Sequence, residues 1–497
     1  MKKKGLVCII LLFVILCLIP LVFYPVRGRE AAESSDVPTA LPALVKTVSD
    51  AHGKTENVFN QKFLSDAGDY FTGTFAFRNE LVTADSALRS GIFHTSTKSN
   101  VVIGKDGFLF YGSTMDDYLG RTTLTDLQLS QIAYNLSLMQ RTLEEDGKTF
   151  VFTIAPNKNS LYPQYMPSGY KTDRTTANYT RLVPYLEKAG VNYVNLHAFF
   201  SGQDEVYYHK TDSHWNNKGA ALANRLLLKA VGRKSTDYDS IPCEARNDMT
   251  GDLFRMLYPA AKGQETEYYY QKERDYDYVE EIESTYDPEI LTDNRKKDGS
   301  LVMFRDSFGN ALVPFTADEY GSGFFSRALP YQVYQAYDRE ADTVIAELVE
   351  RNLYYLQSLA PVLPAHDRLD LELPETADPD LRVTAQVEPE EAGEHELLKV
   401  TGQIDPKRMK ADADTYISLY DKEQDFGYIF QVYHCSEQKP EEDESEAKKA
   451  DRGEQENGYA VYLDPVGIAD GNYEISLLHE NEGRLIRSKE VAQYEIG

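Results

Sequence analysis

Three short segments carry side chains suited to nucleophilic chemistry. In Lys210-Thr211-Asp212-Ser213-His214-Trp215 a carboxylate stands two residues from an imidazole. In extended backbone both would point to one side, where the carboxylate can fix the imidazole tautomer and stabilise its protonated form. In Leu301-Val302-Met303-Phe304-Arg305-Asp306-Ser307-Phe308-Gly309 an apolar strand runs into a turn that bears a serine. Such a serine stands at the carboxyl edge of a sheet, where open α/β folds place their ligands. The third segment, Ala155-Pro156-Asn157-Lys158-Asn159-Ser160-Leu161-Tyr162-Pro163, follows another apolar strand and should reach the same rim. A nucleophile at Ser307, a base at His214 and an orienting carboxylate at Asp212 are the parts of acyl transfer through a covalent serine intermediate.

The surrounding residues supply candidates for the rest of such a site. Backbone N–H groups around Ser307 suit a developing oxyanion, and Asn157 or Asn159 could add a donor. Lys158 is a candidate to hold an acidic sugar or the acceptor. Tyr162, Trp215 and Arg305 complete the set of oxyanion or substrate contacts. Each segment also has a plainer reading: a solvated loop before a helix capped by Asn216 or Asn217, a serine acting as N-cap, and an ordinary Pro/Asn turn. A metal site built from His209, Asp212 and His214 is a further alternative, but it leaves Ser307 without a role. The chain calls for no cofactor.

Elements that could position these residues are readable from periodicity. Leu129, Ile132, Leu136, Met139 and Leu143 recur at spacings of three and four, which predicts a helix. Thr125 suits its N-cap and Gly147 its stop. A buried strand is expected at Phe150–Ile154, a helix at Thr176–Ala189 closed by Gly190, a strand at Val191–Leu196 and a helix from Asn217 to Val231. Strands follow at Leu301–Phe304 and Thr343–Ala346. This alternation predicts an α/β fold with a mostly parallel sheet covered by helices on both faces. Val101 to Tyr111 reads as two strands about the Asp106-Gly107 turn, and Phe59 to Phe93 as one or two helices. Arg233 to Asp298, rich in Tyr, Asp and Glu, reads as an excursion from the sheet, a lid or substrate-facing loop.

Beyond a Pro-rich acidic stretch the pattern becomes short alternating strands at Leu398–Gly402, Thr415–Leu419, Tyr428–Tyr433, Tyr459–Leu463 and Tyr473–Leu478, which predicts a β-sandwich. Within it, Glu437 to Gly458 reads as a disordered charged loop. At the other end, three lysines precede an apolar run from Gly5 to Val26 that is long enough to span a bilayer. Their charge sets the N-terminus in the cytoplasm, so the bulk of the chain is expected outside it. The expected organisation is thus a signal anchor at 1–26, a linker at 27–54, the α/β domain at 55–360, a linker at 361–380 and the sandwich at 381–497.

A formal charge of −27 argues against nucleic acid as a partner. The 35 tyrosines beside one tryptophan fit either sugar-stacking surfaces or half-buried strands. Outside the apolar run only Cys243 and Cys435 remain, as one disulfide in an export compartment or as two free thiols.

In order along the chain, Val102-Ile103-Gly104-Lys105-Asp106-Gly107-Phe108-Leu109-Phe110, Pro156-Asn157-Lys158 to Tyr162-Pro163, Thr211-Asp212-Ser213-His214-Trp215, Asp306-Ser307-Phe308-Gly309 and Glu347 to Arg351 resemble the alginate O-acetyltransferase-like proteins. These are an SGNH-hydrolase-like group also called DHHW proteins. The resemblance spans about residues 55–360 and implies a three-layer SGNH-hydrolase-like core with a triad of Asp212, His214 and Ser307. It further implies acetyl transfer to an exported polysaccharide, with a multi-span membrane acyltransferase as acetyl donor. One departure is Arg305, where the family often has Gly before Asp-Ser. The same residues would serve a carbohydrate acetylesterase, and a non-catalytic glycan-binding or assembly protein is the reading from another class.

Overall fold

The computed structural model describes residues 41–49, 55–170, 175, 177–374, 377–405, 413–436, 457–481 and 484–497, with scattered positions between Val7 and Val22. The apolar run expected to anchor the chain therefore falls largely outside the described residues. Those of its positions that are described, among them Val7, Leu11, Phe13 and Leu18, are helical with exposed side chains. Among the described residues no helix is long and apolar enough to cross a membrane. The loop at 437–456 also lies outside the described residues.

The α/β part begins with a hairpin, β1 (Val101–Ile103) and β2 (Leu109–Tyr111). Its turn carries Asp106 and Gly107 at φ 53° and 81°, the left-handed region that the Asp-Gly pair tolerates. Next is α1 (Asp126–Glu145), started by a reciprocal cap in which the Thr125 hydroxyl accepts from the Gln128 N–H and the Gln128 side chain accepts from the Thr125 N–H. Gly147 at φ 72° turns the chain out of it. Then follow β3 (Thr149–Ala155), α2 (Asn178–Lys188), β4 (Tyr193–Val194) and α3 (Asn217–Ala230). The strand expected at 191–196 is this short because Asn195 caps a new helix at Leu196–Ser201.

The excursion at 233–298 is ordered, and half of it rejoins the sheet. It forms a hairpin of β5 (Cys243–Met249) and β6 (Glu265–Tyr270), joined through the short helix α4 (Asp252–Leu257). It then adds β7 (Asp277–Tyr278) and β8 (Glu289–Asp293). With β9 (Ser300–Phe304), β10 (Ser322–Ser326) and β11 (Thr343–Val349) the seven-stranded sheet has the order β4-β3-β11-β9-β10-β8-β7. The first five strands run parallel, β8 pairs antiparallel with β10, and β7 pairs antiparallel with β8. The carboxyl ends of β3, β9 and β11 therefore share one rim.

Period-two alternation assigns the two faces of this sheet. Phe150, Phe152, Ile154, Val302, Phe304, Val344 and Ala346 pack under α1 and α2. Val151, Ala155, Leu301, Met303, Ile345 and Val349 pack on the other side with Ala220, Ala223 and Leu227 of α3. Strands buried on both faces read as unbroken apolar runs, as these do.

At the C-terminal end, strands Gln386–Ala392, His395–Gln403, Gly458–Leu463 and Tyr433–His434 make one antiparallel sheet. Phe426–Gln431, Thr415–Asp421, Gly471–Asn481, Arg484–Arg487 and Ala492–Ile496 make the other, and a shared apolar cluster lies between them. This pair rests on α1. The Asn135 amide donates to the His434 carbonyl at 2.7 Å and accepts its N–H at 2.9 Å, as a paired strand would. Cys243 is exposed and Cys435 buried, and no disulfide joins the two.

Candidate active site

Ser307 follows β9 at the carboxyl rim, at the start of a single 3₁₀ turn (Phe308–Ala311). Asp306 fixes that turn: its carboxylate accepts the N–H of Phe308 at 2.9 Å and the N–H of Val349 at 2.7 Å. The Asp306 N–H donates to Glu347 Oε2 at 3.1 Å. Glu347 is fully buried, and burial, with the Asp306 charge beside it, pushes its carboxyl well above the usual range. Arg305 lies beneath the turn, buried, donating to the Asn310 side chain and to the Asp287 carbonyl at 2.8 Å. Burial lowers its guanidinium to about 10. Gly309 makes room for it, since a Cβ there would stand 2.4 Å from Arg305 Cβ. The arginine that departs from the family pattern is thus a support under the turn.

Asp212 and His214 do not lie on extended backbone as expected. They occupy a bend closed by the Tyr208–Trp215 bridge and the His209 N–H to His214 carbonyl bond at 3.2 Å. The bend arises because Asp212 Oδ1 accepts both the His214 N–H, at 2.9 Å, and its ring Nδ1–H, at 2.8 Å. The other Asp212 oxygen accepts the Asp252 N–H at 2.8 Å. Burial alone would raise Asp212, but the bonds from His214 and the Asp252 N–H outweigh it and hold the carboxyl well below its ordinary range. His214 Nε2 stands 2.9 Å from Ser307 Oγ. An Nδ1–H donating to Asp212 leaves Nε2 as the acceptor of the serine proton. The three residues singled out in the sequence therefore form one continuous relay, with the Phe308 ring 4.8 Å from the imidazole.

The remaining candidates are buried around this relay. Lys158 does not reach outward to a substrate: its ammonium donates to the carbonyls of His209, Lys210 and Asp212 at 3.0, 2.9 and 2.5 Å. Burial lowers it to about 8, against the charges of Asp212, Asp252 and Glu265. Trp215 donates from its indole to the Phe308 carbonyl at 3.1 Å, tying the two halves of the relay together. The Tyr162 hydroxyl accepts the Tyr207 N–H at 3.0 Å. The Asn157 amide lies 3.5 Å from Asp117, and Asn159 donates to Thr114 at 2.8 Å. Both line a small cavity with Lys158, Ser213, Phe308 and Arg351.

Sequence reasoning missed the acidic residues that hold the loop. Glu265 accepts the N–H and hydroxyl of Thr211 at 2.6 and 2.5 Å, and Glu267 accepts the Asn217 N–H at 2.9 Å. Glu267 also faces His209 Nε2 at 3.3 Å. Burial opposes a charge on His209, but Glu267 with Asp212 and Glu265 outweighs it and raises the imidazole. Glu350 accepts the Asn157 N–H at 2.8 Å and the Ser160 hydroxyl at 2.7 Å. For Glu265 and Glu267 the signal in the sequence is the density of acidic residues in the Tyr-rich excursion, whereas Glu350 falls in the Glu347 to Arg351 segment that carries the resemblance. The metal grouping suggested by the sequence is not the one the fold assembles. Asp252, rather than His209, comes together with Asp212 and His214.

Residues 101–302 match the model of the SGNH hydrolase-like domain of acetyltransferase AlgX, a span that includes Asp212 and His214 and stops short of Ser307. A probable alginate O-acetylase AlgJ of Pseudomonas syringae pv. tomato is 26% identical over 185 residues, 36% of this chain and 45% of that protein. Its counterpart in Pseudomonas putida is 24% identical over 208 residues, 40% of this chain and 52% of that protein. The chain thus spans about half the length of these curated relatives. Among solved structures, Bacillus cereus PatB1 aligns with a TM-score of 0.40 at 19% identity, over 50% of this chain and 95% of PatB1. The α/β part contains an SGNH-hydrolase-like domain, and through it the chain is similar to the alginate O-acetyltransferase-like family.

Proposed function

We propose that this chain is an extracytoplasmic O-acetyltransferase that acetylates a cell-surface or secreted polysaccharide, with Ser307 as nucleophile, His214 as base and Asp212 as its orienting carboxylate. The observation that carries the reading is the unbroken relay from Ser307 Oγ through His214 to Asp212, at 2.9 and 2.8 Å. Similarity to proteins named alginate O-acetylase supports an acetyl group and a polysaccharide acceptor. His214 Nε2 takes the Ser307 proton as Oγ bonds to the acetyl carbonyl carbon. Collapse of the adduct breaks the bond to the donor's leaving group, which receives that proton. A sugar hydroxyl then gives its proton to Nε2 and attacks the acetyl-serine, and Ser307 leaves with its proton restored. The donor in this reading is a multi-span membrane acyltransferase, and the apolar run at 5–26 holds the chain at the same membrane.

The test is acetyl release from p-nitrophenyl acetate by the purified chain, with mass spectrometry of the peptide bearing Ser307. Ser307→Ala and His214→Ala should each lower the rate about 10³-fold or more. Added oligosaccharide should draw the acetyl group to itself, whereas release to water alone would make the enzyme an esterase. Activity indifferent to both substitutions would overturn the serine mechanism.

A further inference from the structure

The excursion between α3 and β7 places a second carboxylate beside the imidazole. Gly251 brings α4 against the Asp212 loop so closely that a Cβ there would lie 2.4 Å from the Thr211 carbonyl oxygen and 2.7 Å from the Asp212 nitrogen. At this contact Asp252 donates its own N–H to Asp212. Its side chain accepts the Ser213 N–H at 2.8 Å on Oδ1 and the Ser213 hydroxyl at 2.5 Å on Oδ2. Oδ2 is also 3.8 Å from His214 Nδ1, and Ser213 Oγ is 3.2 Å from the same nitrogen.

The directions of these bonds follow from chemistry. A carboxylate only accepts, so the Ser213 proton points to Asp252 and the oxygen turns its lone pairs to the ring. Nδ1–H then faces two acceptors, Asp212 Oδ1 and Ser213 Oγ, and Nε2 is left unprotonated toward Ser307. A strut that only anchored α4 would need no more than the Oδ1 bond to the backbone. The second oxygen directs the Ser213 hydroxyl and adds negative charge beside the nitrogen that carries the proton.

We propose that Asp252 is a positioning residue for His214: through the Ser213 hydroxyl it holds the ring with its proton on Nδ1, and its charge stabilises the imidazolium formed when Ser307 is deprotonated. Burial and the Asp212 charge raise the Asp252 carboxyl above its ordinary range, as two carboxylates around one imidazole require. The opposing cation is Lys158, whose charge is felt by both carboxylates. Tyr286, raised by burial and then by Asp212 and Asp252, is the nearby phenol. The proposal rests on reading Ser307, His214 and Asp212 as an acyl-transfer relay.

The experiment separates the two. Full-length chain with ¹³C-labelled histidine is titrated by NMR, the His214 signal being assigned by its loss in His214→Gln, in wild type, Asp252→Asn and Ser213→Ala. Removing one negative charge should lower the His214 midpoint by about one pH unit in Asp252→Asn. Ser213→Ala should move it in the same direction in protein that remains folded. In parallel, the rate of Ser307 modification by a sulfonyl fluoride is followed against pH, and its acid limb should shift down by the same amount. A wild-type Ser307 that is never modified defeats the acyl-transfer reading but leaves the NMR comparison valid. A His214 midpoint unmoved by Asp252→Asn in folded protein overturns the proposal. Should Asp252→Asn not fold, an unmoved midpoint in Ser213→Ala overturns it equally.

Discussion

Glu347→Gln should stabilise this protein, and the gain should grow with pH. Glu347 is fully buried beneath the Ser307 turn, and burial with the Asp306 charge raises its carboxyl well above the ordinary 4.5. In the unfolded chain the same group ionises near its ordinary value. Between the two, the folded state holds a proton that the unfolded state has lost, so stability falls as pH rises, by about 1.4 kcal/mol per unit. From about pH 5 toward about pH 7 the wild type should therefore lose stability relative to the glutamine variant. Glutamine retains the oxygen that accepts the Asp306 N–H and carries no charge to repel the Asp306 carboxylate. The Ser307 turn should therefore stay in place and acetyl release should change by no more than a few-fold. Glu347→Ala, which removes that acceptor, should slow it strongly. Differential scanning calorimetry of wild type and Glu347→Gln at several pH values between these limits reads the effect. A difference in thermal midpoint that stays constant with pH would refute the reasoning, because an ionised Glu347 gives no such dependence.

Asp212→Asn removes the charge that supports the imidazolium and lets the amide donate toward Nδ1, so p-nitrophenyl acetate turnover should fall about 10³- to 10⁴-fold with the fold retained. Gly309→Ala sets a methyl 2.4 Å from Arg305 Cβ and 3.0 Å from Glu347 Oε2. It should cost about 1–3 kcal/mol by denaturant unfolding and slow Ser307 acylation through displacement of the turn. His434, buried where the sandwich meets α1, is lowered by burial and His479 to about 3. From its ordinary 6.5 downward the unfolded chain binds a proton that the folded chain refuses, so stability falls by about 1.4 kcal/mol per pH unit on acidification. His434→Phe should flatten the thermal midpoint between about pH 6.5 and pH 5, and an unchanged acid slope would count against this burial.

The α/β core was legible because its signals are local and repeated. The apolar face of α1, its Thr125 cap, the Asp106-Gly107 turn and the unbroken runs of β3 and β9 each follow from a few neighbouring residues. Ser307, His214 and Asp212 were legible for a similar reason, since each motif sits at a strand or helix boundary. The short β10 was missed: Ser322-Gly323-Phe324-Phe325-Ser326 has no alternation to mark it, although it lies inside the sheet. The roles of Lys158, Trp215 and Arg305 were not legible either. A charged side chain beside a motif suggests substrate, and only the folded chain shows that these groups are tied to backbone carbonyls. The excursion at 233–298 lacks a period, and its composition suggests a lid or substrate-facing loop. Its acidic residues act across 39 to 54 positions of sequence, a separation at which no local pattern remains.

The two halves of the relay are held by different means. Ser307 is carried by the parallel ladder of β9 and β11, with Asp306 bonded to Val349 of the neighbouring strand, so the central sheet itself fixes its position. The loop from His209 to Asn217 has no ladder beyond a single bridge, and side chains join the backbone N–H groups of Leu109 and Phe254 in meeting its main-chain groups. Lys158 takes three carbonyls, Glu265 takes Thr211, Asp252 takes Ser213, and Glu267 takes Asn217. Bonds to charged groups in a buried site are worth about 1.5–3 kcal/mol each, and an unmet buried group costs as much again. Charge of both signs therefore does for His214 what strand pairing does for Ser307. It follows that substitutions in the excursion should alter the chemistry of Ser307 through the geometry of His214. The alignment of Nε2 on Ser307 Oγ then depends on residues that neither motif contains.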